Sequence, residues 1–414
     1  MQPQSSSGTA GPLRRLWAPI VGLGLTQLIG WGATFTALGI LGAPIARDLN
    51  LPREAVFGGV TIMMLVSAAL APSLGRRIDR LGSRHLMVPG SLVGAVALLV
   101  IAAAQGPVFY GLGWALLGLT TAMMMTNAAV PALVDIAGPD ARRAVTAHTI
   151  ITGITGAIFL PLTAWLEHRY GWRVTLFVFS LMYLCICLPI HMAVLPHGRS
   201  ERSQSGGNEA AVSWEGQLPA AWRPLCFSLV ALWMALQGFI VWGFNIQVVD
   251  ILQGVGLSHA DAILVWMFAG PAQALTRVAD LVSGGRTGIM SLAVLSAVAM
   301  PLGFVAVLIG GPSVPAMALL AAAAGAGQGL HAVARSMVPL RLFGLKTFGA
   351  TMGKLTLPLN ICNAAAPLVY SVLIARVGAS TALWITCAAA LMSLAAVIVL
   401  TRIAALASAG GDRD

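Results

Sequence analysis

Twelve apolar runs alternate with short polar connections along this 414-residue chain. They fall at 16–46, 55–74, 86–104, 108–136, 144–166, 174–195, 224–251, 260–283, 288–310, 314–342, 348–375 and 381–403. Each is close to or above the ~20 residues of α-helix that cross the hydrocarbon core of a bilayer. Backbone in hydrocarbon must satisfy its own hydrogen bonds, and a helix does so within one segment. The pattern therefore predicts an all-α membrane protein with twelve transmembrane helices. Residues 196–222, with Gly198, Ser203, Ser205, Gly206, Gly207 and Asn208, form the one long polar connection and separate six runs from six, as a flexible hinge would. The expected organisation is a disordered N-terminus at 1–15, a six-helix bundle at 16–195, a linker at 196–222, a second six-helix bundle at 223–403 and a tail at 404–414. The other connections are too short to hold a soluble domain.

The two bundles repeat one another. Gly75-Arg76-Arg77-Ile78-Asp79-Arg80-Leu81-Gly82-Ser83-Arg84 closes the second run. Arg277-Val278-Ala279-Asp280, trailed by Gly284, Gly285 and Arg286, closes the eighth, about 200 residues later. Arg169-Tyr170-Gly171 and Arg376-Val377-Gly378 repeat at a similar offset before the sixth and twelfth runs. Pseudo-symmetric halves that can rock about a shared midplane site are the usual construction of a carrier.

Composition changes this picture little. Only 9% of residues are charged and 58% are apolar, too few charges to cover a soluble surface of this size. The formal charge of +10 invites a nucleic-acid reading, but the placement of the basic residues argues against one. An even number of spans puts both ends on one side, and that side collects Arg14, Arg15, Arg76, Arg77, Arg80, Arg84, Arg142, Arg143, Arg199, Arg202, Arg223, Arg286, Lys346 and Arg402. The other side holds Arg47, Arg53, Arg169, Arg173 and Arg376. By the positive-inside rule both termini and the linker are cytoplasmic, in an inner (plasma) membrane. The first run is too long for the core of a signal peptide and reads as an uncleaved helix. The five cysteines lie inside apolar runs and read as packing residues. No metal-ligand cluster, nucleotide loop or catalytic triad stands in the sequence, so no enzyme, metal or cofactor is expected.

The segment Gly75–Arg84 resembles the helix 2–3 loop motif of the major facilitator superfamily, Gly-x-x-x-Asp-Arg-x-Gly-x-Arg, and Gly171-Trp172-Arg173 is similar to the start of helix 6 in many members. The resemblance covers essentially the whole chain. It implies a monomeric alternating-access transporter with a central cavity lined by helices 1, 2, 4, 5, 7, 8, 10 and 11. Gly30-Trp31-Gly32 and Gly270-Pro271-Ala272-Gln273 are similar to the monocarboxylate and organic-anion branch. Two departures count against a proton-driven drug exporter: Trp114-x-x-x-Gly118 stands where many proton-linked members have Arg-x-x-x-Gly, and Gly153-x-x-Gly156 lacks the Gly-Pro-x-x-Gly-Gly run of drug–proton antiporters.

Two sets of residues carry the candidate chemistry. Asp79, just past the end of the second helix, can accept from backbone N–H groups of a facing helix and pair with Arg. With Gly75, Arg80, Gly82 and Arg84 it is expected to form a gate latch, for which Arg76 and Arg77 are equally well ordinary orientation charges. Arg277 and Asp280 are the second-half counterpart and, at i,i+3, can also neutralise each other. The second set lies at membrane depth, where polar groups are expensive and mark pathways. It comprises Gln27, Trp31, Asn127, His148, Gln237, Gln273, Gln328, His331, Arg335, Lys354, Asn360 and Asn363. Gln328, His331 and Arg335 share one helical face, as do His148, Thr152 and Thr155. Asp135, Asp250, Asp261 and Asp280 all lie near span ends, so this cavity has cations and no central carboxylate. The expected cargo is a small organic anion such as a carboxylate. Alternative roles stay open: Arg335 and Lys354 can snorkel to the interface, and each Asn or Gln can be interhelical glue. An exporter of amphiphilic or drug-like compounds is the rival within transport, and a non-transporting sensor or scaffold the rival outside it. His148 and His331 are the groups able to carry a proton; uniport, exchange and proton-linked symport are all consistent with the residues.

Overall fold

The computed structural model describes residues 12–196, 218–283 and 286–411, and among them every regular element is a helix. Helix begins at Pro12 and the first passage, α1, spans Leu16–Asp48. It is followed by α2 (Arg53–Leu81), α3 (Arg84–Ala102), α4 (Pro107–Met124 continued by Thr126–Ala137), α5 (Ala141–Gly153 continued through 155–170) and α6 (172–194). The second half has α7 (Arg223–Gly254), α8 (His259–Trp266 continued by Ala269–Val282), α9 (Ile289–Gly310), α10 (Val314–Phe343), α11 (Phe348–Val377) and α12 (Ala379–Gly411). Among the described residues, ten uninterrupted stretches are long and apolar enough to cross a membrane. One of them, Pro107–Val194, is 88 residues long. It turns at Gly138–Asp140 and at Gly171, so it makes three passages and the total is the predicted twelve. Of the linker at 196–222, residues 197–217 lie outside the described residues, as do 1–11, 412–414 and the Gly284-Gly285 pair.

The repeat is visible in the backbone. Gly171 (φ 79°, ψ 168°) and Gly378 (φ 88°, ψ 160°) turn the chain in the same way before α6 and α12. A Cβ is disfavoured in that conformation, which is why glycine closes both Arg-x-Gly triplets. On the face opposite the loop motif, Arg173 donates to Asp48 (2.8 Å) and to the Ala102 carbonyl (2.6 Å), and Trp172 Nε1 donates to the same carboxylate, tying α1, α3 and α6 together. The outer surface is apolar, with Phe109, Leu302, Leu308 and Ile309 among its exposed side chains, as lipid contact requires.

Several helices depart from a straight rod. α1 carries a π turn at Gly32–Thr36, and α4 breaks at Met125 (φ −77°, ψ −160°). A break frees carbonyls that hydrocarbon cannot solvate. Gln27 answers one of them, its Nε2 donating to Met124 O at 2.6 Å.

The halves meet most closely where α2 crosses α11. A Cβ built on Gly75 would lie 2.2 Å from the Gly349 carbonyl oxygen, and one on Gly353 would lie 2.3 Å from that of Ala71. Small residues let the two backbones touch there, which is how helices associate where lipid is as apolar as leucine.

Candidate functional site

The interface between the halves has two polar levels. The first lies at the face bearing the Gly75–Arg84 loop, called the basic face below. Asp79 accepts from the backbone N–H of Gly349 (Oδ1, 2.8 Å) and of Ala350 (Oδ2, 2.7 Å). These amides belong to the first turn of α11, where N–H groups lack intrahelical partners and the helix dipole favours an anion. The repeat-related Asp280 meets the first turn of α5 instead. Its Oδ1 takes Arg142 Nη2 at 2.5 Å and its Oδ2 takes the Thr146 hydroxyl at 2.9 Å, with both charges largely buried. Arg142 also donates to the Thr287 carbonyl. Arg277 reaches the same helix by donating from Nη1 to Thr149 O at 2.7 Å. Asp280 and Arg277 thus do not neutralise one another, as their spacing allowed; each engages α5. Both ends of the interface are held on this face, α2 to α11 and α8 to α5.

The other loop residues have different surroundings. Arg84 donates to the carbonyls of Met192 and Leu195, capping the end of α6 within the first half. Arg76, Arg77 and Arg80 are exposed. Gly82 takes φ 82° at the end of α2.

The second level lies deeper. Arg335 is half-buried on α10 and makes no hydrogen bond or ion pair with the described residues. Arg277 and Arg335 lie within electrostatic reach of each other and of His148, and Arg335 also acts on His331. His331 packs edge-on against Trp233, ring centres 4.8 Å apart, with a buried, unpartnered Nδ1. His148 is buried with neither ring nitrogen bonded, and Arg277 Nε is unpartnered as well. Asp280, one turn along α8 from Arg277, is committed to Arg142. The result is a cationic cluster from α5, α8 and α10 in which neither Arg277 nor Arg335 has an ion pair among the described residues.

Toward mid-depth, Gln328 Oε1 accepts from Asn245 Nδ2 (3.1 Å) and Gln273 Nε2 (3.5 Å), joining α7, α8 and α10. Asn127 accepts from the Thr356 hydroxyl at 2.9 Å, a bond from α4 to α11 across the halves. Trp31 stacks on Phe35 (4.7 Å), which in turn meets Trp242 of the other half (4.9 Å). The remaining candidates stand apart from this group. Gln237 donates to Ser393 and holds α7 to α12, Asn363 packs over Gly238 of α7, and Gln27 serves the α4 break. Asn360 is part-buried, and Lys354 is exposed without an ion pair.

Sequence reasoning missed Arg142, read only as an orientation charge, and gave Thr146 and Thr149 no role. The repeat contained a signal for them. Arg142 precedes Gly349 by 207 residues, the offset that relates Gly171 to Gly378, so the two acids meet repeat-related first turns.

The chain matches the family model described as Major Facilitator Superfamily over residues 23–308. Its fold is similar to that of the human organic anion transporter MFSD10 (TETRAN), with TM-score 0.67 and 16% identity, covering 96% of this chain and 100% of that one. It is also similar to the proton:xylose symporter XylE bound to 6-bromo-6-deoxy-D-glucose, with TM-score 0.70 and 11% identity, covering 93% and 95%. No curated protein sequence matches it.

Proposed function

The chain belongs to the Major Facilitator Superfamily and is therefore a membrane transporter of small solutes and not an enzyme, and from that premise we propose that its cargo is a small organic anion, in the first instance a carboxylate, carried by alternating access. One observation carries the reading: Arg335 stands in the interface between the halves beside Arg277, with no ion pair among the described residues. A guanidinium matches carboxylate geometry with two parallel N–H groups, and low dielectric strengthens the attraction. In this reading the amide group at Asn245, Gln273 and Gln328 and the aromatic row at Trp31, Phe35 and Trp242 line the rest of the path. Asp79 and Asp280 act as the gate on the basic face, which is the cytoplasmic face in this reading, and the conformer described is closed there. An exporter of amphiphilic cations needs a cavity of the opposite sign.

The test is ligand-induced thermal stabilisation, since a ligand that binds the folded state raises its apparent stability. Screened against organic acids, sugars, amino acids and drugs, the purified protein is expected to respond to acids. Arg335→Ala is expected to abolish the response, a loss of about 2 kcal/mol or more, and Arg335→Lys to restore part of it, because a point charge replaces a fork. If Arg335→Ala binds the acid as well as the wild type does, the arginine is structural and the anionic reading falls.

A further inference from the structure

His148 is the ionisable group at the cationic cluster for which anion binding alone has no use. It precedes Thr149, whose carbonyl holds Arg277. Its side chain is 2% exposed, and neither Nδ1 nor Nε2 has a hydrogen-bond partner among the described residues. A neutral imidazole has one donor and one acceptor, and burying both unmade is costly where an apolar side chain would be free of that penalty.

The charges around it come from few directions. The helices packed against this part of α5 are α1, α4, α8 and α10. α8 brings Arg277 and, toward the basic face, Asp280, whose carboxylate is held by Arg142 and Thr146 of α5 itself. α10 brings Arg335 and His331. α4 brings Asp135 at its basic-face end, and α1 between Leu16 and Trp31 has no ionisable side chain. Of these groups, Arg335 and Arg277 are the ones whose charges act on His148. Two guanidinium groups beside a desolvated ring oppose a third positive charge. An anion held between them removes that opposition and offers an acceptor to a ring N–H.

We propose that His148 is a proton-binding site coupled to the anion site, taking up one proton from water when a carboxylate binds between Arg277 and Arg335 and releasing it when the carboxylate leaves. The proposal rests on the anionic reading above. The proton adds to the free ring nitrogen and no other bond changes. For a monocarboxylate the added anion and the added proton cancel, so the cluster has the same net charge empty and loaded. Solute and proton then cross together without net charge movement, and the membrane potential does no work on the cycle. By reciprocity, protonation of His148 must tighten anion binding by the factor with which the anion favours protonation. His331 is less suited: its ring packs against Trp233, and of the two guanidinium groups only Arg335 acts on it.

The experiment uses the purified full-length chain. Thermal shift against C2 to C6 mono- and dicarboxylates selects the tightest-binding acid. Calorimetric titration of that acid in two buffers of different ionisation enthalpy then reads the protons taken up per anion. Wild type is expected to take up as much as one proton, with affinity falling by up to about tenfold per pH unit wherever that uptake is measured. His148→Gln is expected to bind the acid without proton uptake and with flat pH dependence. In proteoliposomes, monocarboxylate flux is expected to follow an imposed pH gradient and ignore a potassium-diffusion potential. Binding by the wild type without proton uptake overturns the proposal and leaves the anionic reading standing, and this measurement needs no variant. Uptake that persists in His148→Gln, or that disappears in His331→Gln, overturns it equally. If no acid in the panel binds, both readings fall together.

Discussion

Asp79 and Asp280 occupy repeat-related ends of α2 and α8, yet one is satisfied by two backbone amides and the other by a guanidinium and a hydroxyl. The difference has consequences for mutation. In Asp79→Asn the carbonyl oxygen still accepts one amide N–H but the new NH2 faces the other, so the closed form should lose about 2 kcal/mol. In Asp280→Asn the Arg142 guanidinium loses its counter-charge while largely buried, and the closed form should lose about 3 kcal/mol. Spin labels placed on the basic-face ends of α5 and α8 would report this as a shift toward longer distances, larger for Asp280→Asn than for Asp79→Asn. The reverse order would count against the assignment. At this scale the sequence was partly legible. The repeat marked both acids and both arginines of the motif, and the charge pattern marked Arg335 as a cation without an acid. The partner of Asp280 was not legible, because Arg142 lies 138 residues away and its contact is made only when the halves come together. Nor did the spacing of Arg84 announce a cap on α6, a contact across 111 residues.

At the scale of elements, the α2–α11 crossing brings the two halves into backbone contact on the basic face, which is the closure proposed above. Gly75, Gly349 and Gly353 bring the backbones so near that any side chain must push them apart. Gly353→Leu should therefore leave each half folded and prevent closure on this face, so that transport is lost while thermal stability and monodispersity persist. Gly353→Ala should lie between. Distances between labels on the basic-face ends of α2 and α11 would check this: unchanged distances with full transport would mean the contact is incidental. The number and order of the helices followed from the apolar runs, since length and hydropathy alone decide what can span a bilayer. Their irregularities did not follow. The break at Met125 and the π turn at Gly32–Thr36 arise where α1 and α4 meet each other and α5, with Gly30 against Met125 and Gly32 against Phe159. Such deformations are set by neighbours in the bundle, and a hydropathy profile of one helix has no access to them.

For the whole molecule, orientation is the property that turns geometry into physiology, because a gate closed on the cytoplasmic face and one closed on the outer face imply opposite loading sides. Twelve passages place both termini on the basic face. On the opposite face Arg173 pairs with Asp48. On the basic face Arg142 is spent in the latch, but Arg76, Arg77, Arg80 and Arg402 stay exposed, and Lys/Arg near span ends set the orientation during insertion. A cysteine introduced at position 205, in a chain whose five native cysteines have been replaced, should therefore be unreactive toward a membrane-impermeant thiol reagent in intact cells. It should react once the membrane is opened. A cysteine at position 105, in the connection after α3, should react in intact cells. Labelling of position 205 from outside would invert the molecule, and with it the side from which the anion and its proton load.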